Sequence, residues 1–267
     1  MKRLAILAVL AFSLFAANAQ TGTAEKRVCE GAMILAQRNL SEQGKIFVDR
    51  FLGKSFYEDV QFLYGLEKKK QATHANEIHY LYLDSELRPL KVEHDNIISG
   101  IEAAMAIVND REGRERKEVV NALRTIINLM CDMHLIGHIR LEAYPYSLED
   151  FKIWCYSGDT PKYNKRKHQV TWSRFWCIYD YWHNGMTGSM WADDYEYAHG
   201  EKAKAYAAGS LYDWAADCGK TASEIYKWAH PDYVMPRIQR NDLKELHFEM
   251  MAKLGYRLAV LLDSLAQ

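Results

Sequence analysis

Asn128, Asp132, His134 and His138 lie close together in the segment Asn128-Leu-Met-Cys-Asp132-Met-His134-Leu-Ile-Gly-His138, within a long run of helical periodicity. Residues at i and i+4 of an α-helix lie one above the other, which puts Asn128 and Asp132 on one face. At about 100° per residue His134 points nearly opposite Asp132, and His138 lies roughly a third of a turn from it. Asp132 and His138 can therefore serve one interior site, the more easily if the helix loosens at Gly137. Carboxylates and imidazoles projected inward from helices are what a bundle core offers a metal ion. A buried hydrogen-bond network uses the same residue types, and that reading stays open.

Further candidate ligands are Asp59, His79 and His183, with Cys29 near the start of the mature chain. With Asp132, His134 and His138 they come from several segments that would have to converge, with two carboxylates, Asp59 and Asp132, among them. Mixed nitrogen and oxygen shells suit zinc, and paired metals clamp the attacking and departing oxygens of a phosphoryl centre. The chain has no H-E-x-x-H, P-loop, G-x-S-x-G or dinucleotide fingerprint, and no serine or cysteine in a nucleophile elbow.

Helical periodicity dominates the elements that must position these groups. The spacing predicts helices over Ala32–Arg38, from Ser41 (as cap) to Phe51, over Ser55–Lys70, Asn96–Val108 and Arg114–Ile139. Glu77 to Tyr82 reads as an extended segment crossing the core. Tyr144 to Thr171 reads as polar and irregular, with a basic tip at Lys162, Lys165, Arg166, Lys167 and His168 that would either be a solvated loop or meet an anionic substrate. Trp172 to His183 is expected to begin another core helix. Glu201 to Cys218 follows as an Ala-rich helix, and Thr221-Ala-Ser-Glu224 reads as a capping box for a short one. Asp242 to Leu265 closes the chain with a buried face at Leu246, Met250, Leu254, Leu258, Leu261 and Leu265. No Gly-, Ser- or Pro-rich linker divides the chain, so a single all-α domain over residues 20–267 is expected.

The first nineteen residues read as an export signal: a basic Met1-Lys2-Arg3, an apolar Leu4 to Phe15, and a small-residue cleavage site at Ala17-Asn18-Ala19. No later stretch is long and apolar enough to suggest a membrane span. The expected product is exported, periplasmic or secreted. Loss of Lys2 and Arg3 takes the formal charge from -1 to about -3, too weak a field to attract nucleic acid globally. Of five cysteines, Cys155 with Cys177 is the expected pair, and Cys131 reads as a small buried filler.

On these residues the chain resembles the zinc-dependent S1/P1 nucleases, relatives of the bacterial zinc phospholipases C. Cys131-Asp132-Met133-His134-Leu135-Ile136-Gly137-His138 resembles the family's Gly-Asp-x-His-Gln-Pro-Leu-His, and His79-Tyr80 its Trp-His-Tyr motif. Phe56-Tyr57-Glu58-Asp59 resembles Trp-Ala-Asp, and Trp182, Asn184 and Gly185 fall on a Trp-Asp-Ser-Gly stretch. Trp214-Ala215 and the closing Gly255-Tyr256-Arg257-Leu258-Ala259 follow in order.

The resemblance implies the phospholipase C/P1 nuclease fold and hydrolysis of phosphate esters in single-stranded DNA or RNA, with Asp59 orienting the attack. It also implies zinc shells, which here depart from the family pattern. One shell would be Asp59, His79, Asn128 and Asp132, with Asn128 where the family has histidine. A second would be His138, Tyr179 and His183, with Tyr179 for histidine and His183 for aspartate. The third falls on Ala24 and Cys29 beside Asp132, so one or two zinc ions are expected rather than three. Tyr80, Tyr144, Tyr146 and Trp176 are candidates to stack on a base. A homologue that has lost catalysis and serves as a binding or structural protein is the competing expectation.

Overall fold

The structure is a computed structural model that describes residues 29–53, 59–60, 77–91, 96–144, 152–156, 167–171, 188–231 and 233–267. It opens with helix α1 (29–39), whose Cys29, Ala32, Met33, Leu35 and Ala36 are fully buried. Ser41 then caps α2 (Glu42–Phe51): its hydroxyl accepts from the Gly44 amide and donates to the Asp263 carboxylate. A helix start is thereby tied to the end of the chain, since the unsatisfied amides of a first turn need such an acceptor.

A 3-10 turn at Glu77–His79 leads into strand β1 (Leu81–Leu83). Helix α3 (Ile97–Asn109) starts at Asn96 in a reciprocal capping box with Ser99 and packs along α4 (Arg116–His134). Every residue of α4 from Ile126 to His134 is buried, on all sides of the helix. Strand β2 (Ile139–Leu141) pairs in parallel with β1, Leu81 beside Ile139 and Tyr82 beside Arg140. Leu81, Leu83, Ile139 and Leu141 are buried while Tyr82 and Arg140 are partly exposed, the two-residue alternation of a half-buried ribbon.

Strands β3 (Lys152–Tyr156) and β4 (Lys167–Thr171) form an antiparallel pair, and the Trp154 backbone also bonds to Tyr233 and Met235. Helix α5 (Gly188–Ala203) ends in a 3-10 turn, Lys204–Ala207. Gly209, at φ +98°, then turns the chain into α6 (Leu211–Tyr226). Helix α7 (Arg237–Leu265) runs through the middle of the molecule, with every residue from Met250 to Ala259 buried. It approaches α1 closely: a Cβ on Gly255 would stand 2.7 Å from Leu35 Cβ and 2.8 Å from the Ala32 carbonyl oxygen.

The domain is all-α and multi-helical, with two small two-stranded sheets among the described residues. No helix among the described residues is long and apolar enough to cross a membrane. Five expectations are corrected. Of the extended segment expected over Glu77 to Tyr82, Glu77–His79 is a 3-10 turn and the strand begins only at Leu81. The helix expected over Arg114–Ile139 stops at His134, where Leu135 takes an extended conformation, and a 3-10 turn follows. The stretch expected to be irregular holds the β3–β4 pair. The helix expected over Glu201–Cys218 is two helices broken at Gly209. Thr221 to Glu224 lies inside α6, and the capping box there is Ser210 with Asp213. The expected helices over Ser55–Lys70 and Trp172–His183 lie largely or wholly outside the described residues, as do the signal segment 1–19, the tip from Lys162 to Arg166, Tyr146 and Trp176.

Candidate functional site

Helix α4 carries Arg124, Asn128 and Asp132 at four-residue intervals, so one stripe delivers a guanidinium, an amide and a carboxylate. Asp132 and Asn128 are almost completely buried, at 1 % and 0 % exposed. Asp132 Oδ2 accepts from His79 Nδ1 at 2.7 Å and from Asn128 Nδ2 at 2.9 Å. A carboxylate only accepts, so the proton in the first contact sits on His79 Nδ1.

His138 reaches the same place from a different element. Because α4 ends at His134, the intervening turn Ile136–His138 swings the imidazole round, and its Nδ1 donates to the His79 carbonyl oxygen at 2.8 Å. The two rings lie with centroids 6.4 Å apart, and Tyr80 stacks on His138 at 5.8 Å. A ring held this way, when neutral, carries its lone pair on Nε2. Metal-ligating histidines show this arrangement, one nitrogen held by an oxygen acceptor and the other turned to the ion.

Asp59 is engaged by Arg124, whose Nε lies 3.0 Å from its Oδ1, within ion-pair range though off the hydrogen-bond axis. Of the sequence candidates, His79, Asn128, Asp132 and His138 thus come together, and Asp59 meets the same helix through Arg124. Tyr179 and His183 lie outside the described residues. Among the described residues no three His, Cys, Asp or Glu side chains are grouped as metal ligands. Imidazole and carboxylate are donor types that suit a divalent cation, and His79, His138 and Asp132 bring both types to one region.

His134 leaves the opposite side of α4, as its helical phase predicts. Its Nδ1 donates to the Met130 carbonyl, and its Nε2 accepts from Arg257 at 3.1 Å. Arg257 also donates to Asp217 at 2.6 Å, and Lys253 bridges Asp217 and Glu249 at 2.9 Å each. Burial, then the Arg257 charge, lowers the His134 pKa from 6.5 to about 3. Burial works to raise the Asp217 pKa, but the hydrogen bonds from Arg257 and Lys253 outweigh it and hold the carboxyl below its usual range. In the same cluster burial pushes the Cys218 thiol up to about 12.

Cys131, expected to be filler, is disulfide-bonded to Cys29, which removes Cys29 as a ligand candidate. The bond fastens α1 beside Asp132. Cys177 lies outside the described residues, so its expected pairing with Cys155 does too. Sequence reasoning passed over Arg124 and Arg140. Arg124 could have been found from its place four residues before Asn128, and Arg140 from its place two residues after His138. The chain matches no protein-family model, and no match is found among curated proteins.

Proposed function

We propose that this chain is an exported, metal-dependent phosphoester hydrolase that resembles the S1/P1 nucleases in fold and acts on single-stranded nucleic acid. One observation carries the reading: a buried carboxylate orients His79, whose carbonyl in turn orients His138, although the three residues come from different elements. Aligning two imidazoles through their Nδ1 protons serves a ligand on the far nitrogens better than it serves packing.

In this reading His79 and His138 hold zinc, with Asp59, Tyr179 and His183 completing the shells for one or two ions. Zinc bound there supplies a Lewis acid for the phosphoryl oxygens and lowers the pKa of water. Asp132 and Asn128 fix the His79 ring. Arg124 sets the direction of the Asp59 carboxylate, the group that orients the attacking water. The buried Cys29–Cys131 disulfide supports an oxidising compartment, in keeping with a signal over residues 1–19 and a domain over 20–267.

A second reading has a specific observation behind it. Asp132 already takes two donors from the chain, and Asp59 already has a guanidinium beside it. Internal partners that satisfy both carboxylates are what a non-catalytic exported protein would keep for packing. Elemental analysis of the mature chain separates the two. About one or two zinc ions per chain, with chelator-sensitive release of nucleotides from single-stranded DNA, is the expected result. A chain that stays metal-free after refolding in excess zinc is the structural protein.

A further inference from the structure

The β1–β2 ribbon carries a chemistry that the hydrolase reading does not use. Its core face is Leu81, Leu83, Ile139 and Leu141, and by the alternation of strands its other face holds Tyr82 and Arg140. Tyr80 and His138 immediately precede the register pair Leu81 and Ile139, so the candidate site passes directly into this face. The Arg140 guanidinium carbon lies 3.9 Å from the Tyr80 ring centroid, while Tyr80 itself stacks on His138. The Tyr82 ring meets Tyr80 edge-on at 6.4 Å. A cation is thus held one aromatic ring away from a candidate metal-binding imidazole.

Stacking engages the flat face of a guanidinium. Its N–H donors lie in the plane, in the fork that meets two oxygens of a phosphate at once. Lysine in the same place would supply charge without the fork.

We propose that Arg140 is a substrate-positioning residue that binds a phosphate of the nucleic-acid strand beside the scissile one, with Tyr80, itself braced edge-on by Tyr82, holding its guanidinium in orientation. The assignment rests on the hydrolase reading and adds a recognition subsite to it. Its place follows from the contacts: the guanidinium lies against the Tyr80 ring, whose stacking partner His138 ends the turn that leads into β2.

The test is equilibrium binding of a phosphorothioate-linked decathymidylate, which resists hydrolysis, to the zinc-equilibrated mature chain over a range of salt concentrations. Arg140→Gln is expected to weaken binding by about tenfold and to reduce the slope of log affinity against log salt by about 0.7, one phosphate contact on a single strand. Arg140→Lys keeps the slope and loses several-fold in affinity, because the charge survives without the fork. Zinc content, measured on each protein, stays at the wild-type level. If Arg140→Gln matches wild type in affinity and slope while wild type binds, the Arg140 assignment is wrong and the hydrolase reading stands. If wild type with its zinc bound does not bind the strand at all, the nuclease reading falls and this subsite with it.

Discussion

Asp132 and His134 sit two residues apart on α4 and are gripped from opposite sides of it. Asp132 accepts from His79 and Asn128, while His134 accepts from Arg257 of α7. Between these directions Cys131 is bonded covalently to Cys29 of α1. The last turn of α4 therefore cannot rotate without breaking a disulfide, a charge-assisted pair or a buried imidazole contact. In the proposed hydrolase this would give the carboxylate that orients a metal ligand a rigid mount, where small errors in ligand placement are costly.

The His134 contact sets a pH dependence of stability. Arginine only donates and a carbonyl only accepts, so the folded ring must be neutral with its proton on Nδ1. Its folded pKa of about 3 lies below the ordinary 6.5, so between those values the unfolded chain binds a proton that the folded chain refuses. Stability contributed by this group is complete above pH 6.5 and falls as the pH drops towards 3, with a limiting slope of about 1.4 kcal/mol per pH unit. Urea unfolding of His134→Gln across this range should show a shallower acid limb than wild type. Parallel limbs would show that the imidazole protonates in place.

The same turn shows how far the sequence could be read. The phase of α4 correctly set Asn128 with Asp132 and turned His134 away, because that geometry follows from about 3.6 residues per turn. The convergence of His138 was legible only as a loosening at Gly137; the helix in fact ends earlier, at His134. The parallel pairing of β1 with β2 had no local signal, since three-residue strands carry too little alternation and their partner lies far along the chain. Cys131 reads as filler in an apolar helix, and nothing near it in sequence names Cys29. The His134–Arg257–Asp217 cluster was equally hidden, because each partner looks like a surface residue of its own helix.

The disulfide closes a loop with a sequence separation of 102 residues. In the chain-entropy account a loop of that length contributes about 4.7 kcal/mol through the unfolded state. The double variant Cys29→Ser with Cys131→Ser is expected to lose about 2–5 kcal/mol in denaturant unfolding. Added reductant should lower the midpoint of unfolded-and-refolded wild type by more than it lowers this variant's.

Gly255 is where α7 meets α1 without a side chain between them. A methyl group there would press on Leu35 Cβ and the Ala32 carbonyl, neither of which is the flexible end of a side chain. Gly255→Ala should therefore destabilise by about 1–3 kcal/mol, although alanine is the better helix former by about 1 kcal/mol. A thermal midpoint equal to or above wild type would mean that α1 moves aside at no cost.

Asp132→Asn separates the two functional readings because it changes charge while keeping shape. The substituted side chain would still meet His79 and Asn128, but a neutral amide orients an imidazole less strongly and lowers its basicity as a ligand. If the cluster serves a metal, competition titration against a chromophoric chelator should show zinc bound about 10–100-fold more weakly, the usual cost of removing an orienting partner. Stability of the metal-free chain should fall by about 1.5–3 kcal/mol, the range for a hydrogen bond to a charged group. The two measurements are independent, since the first reads the far side of the His79 ring and the second its Nδ1 bond. A variant that loses stability yet binds zinc as wild type does would place Asp132 in the packing of the domain and move the metal elsewhere.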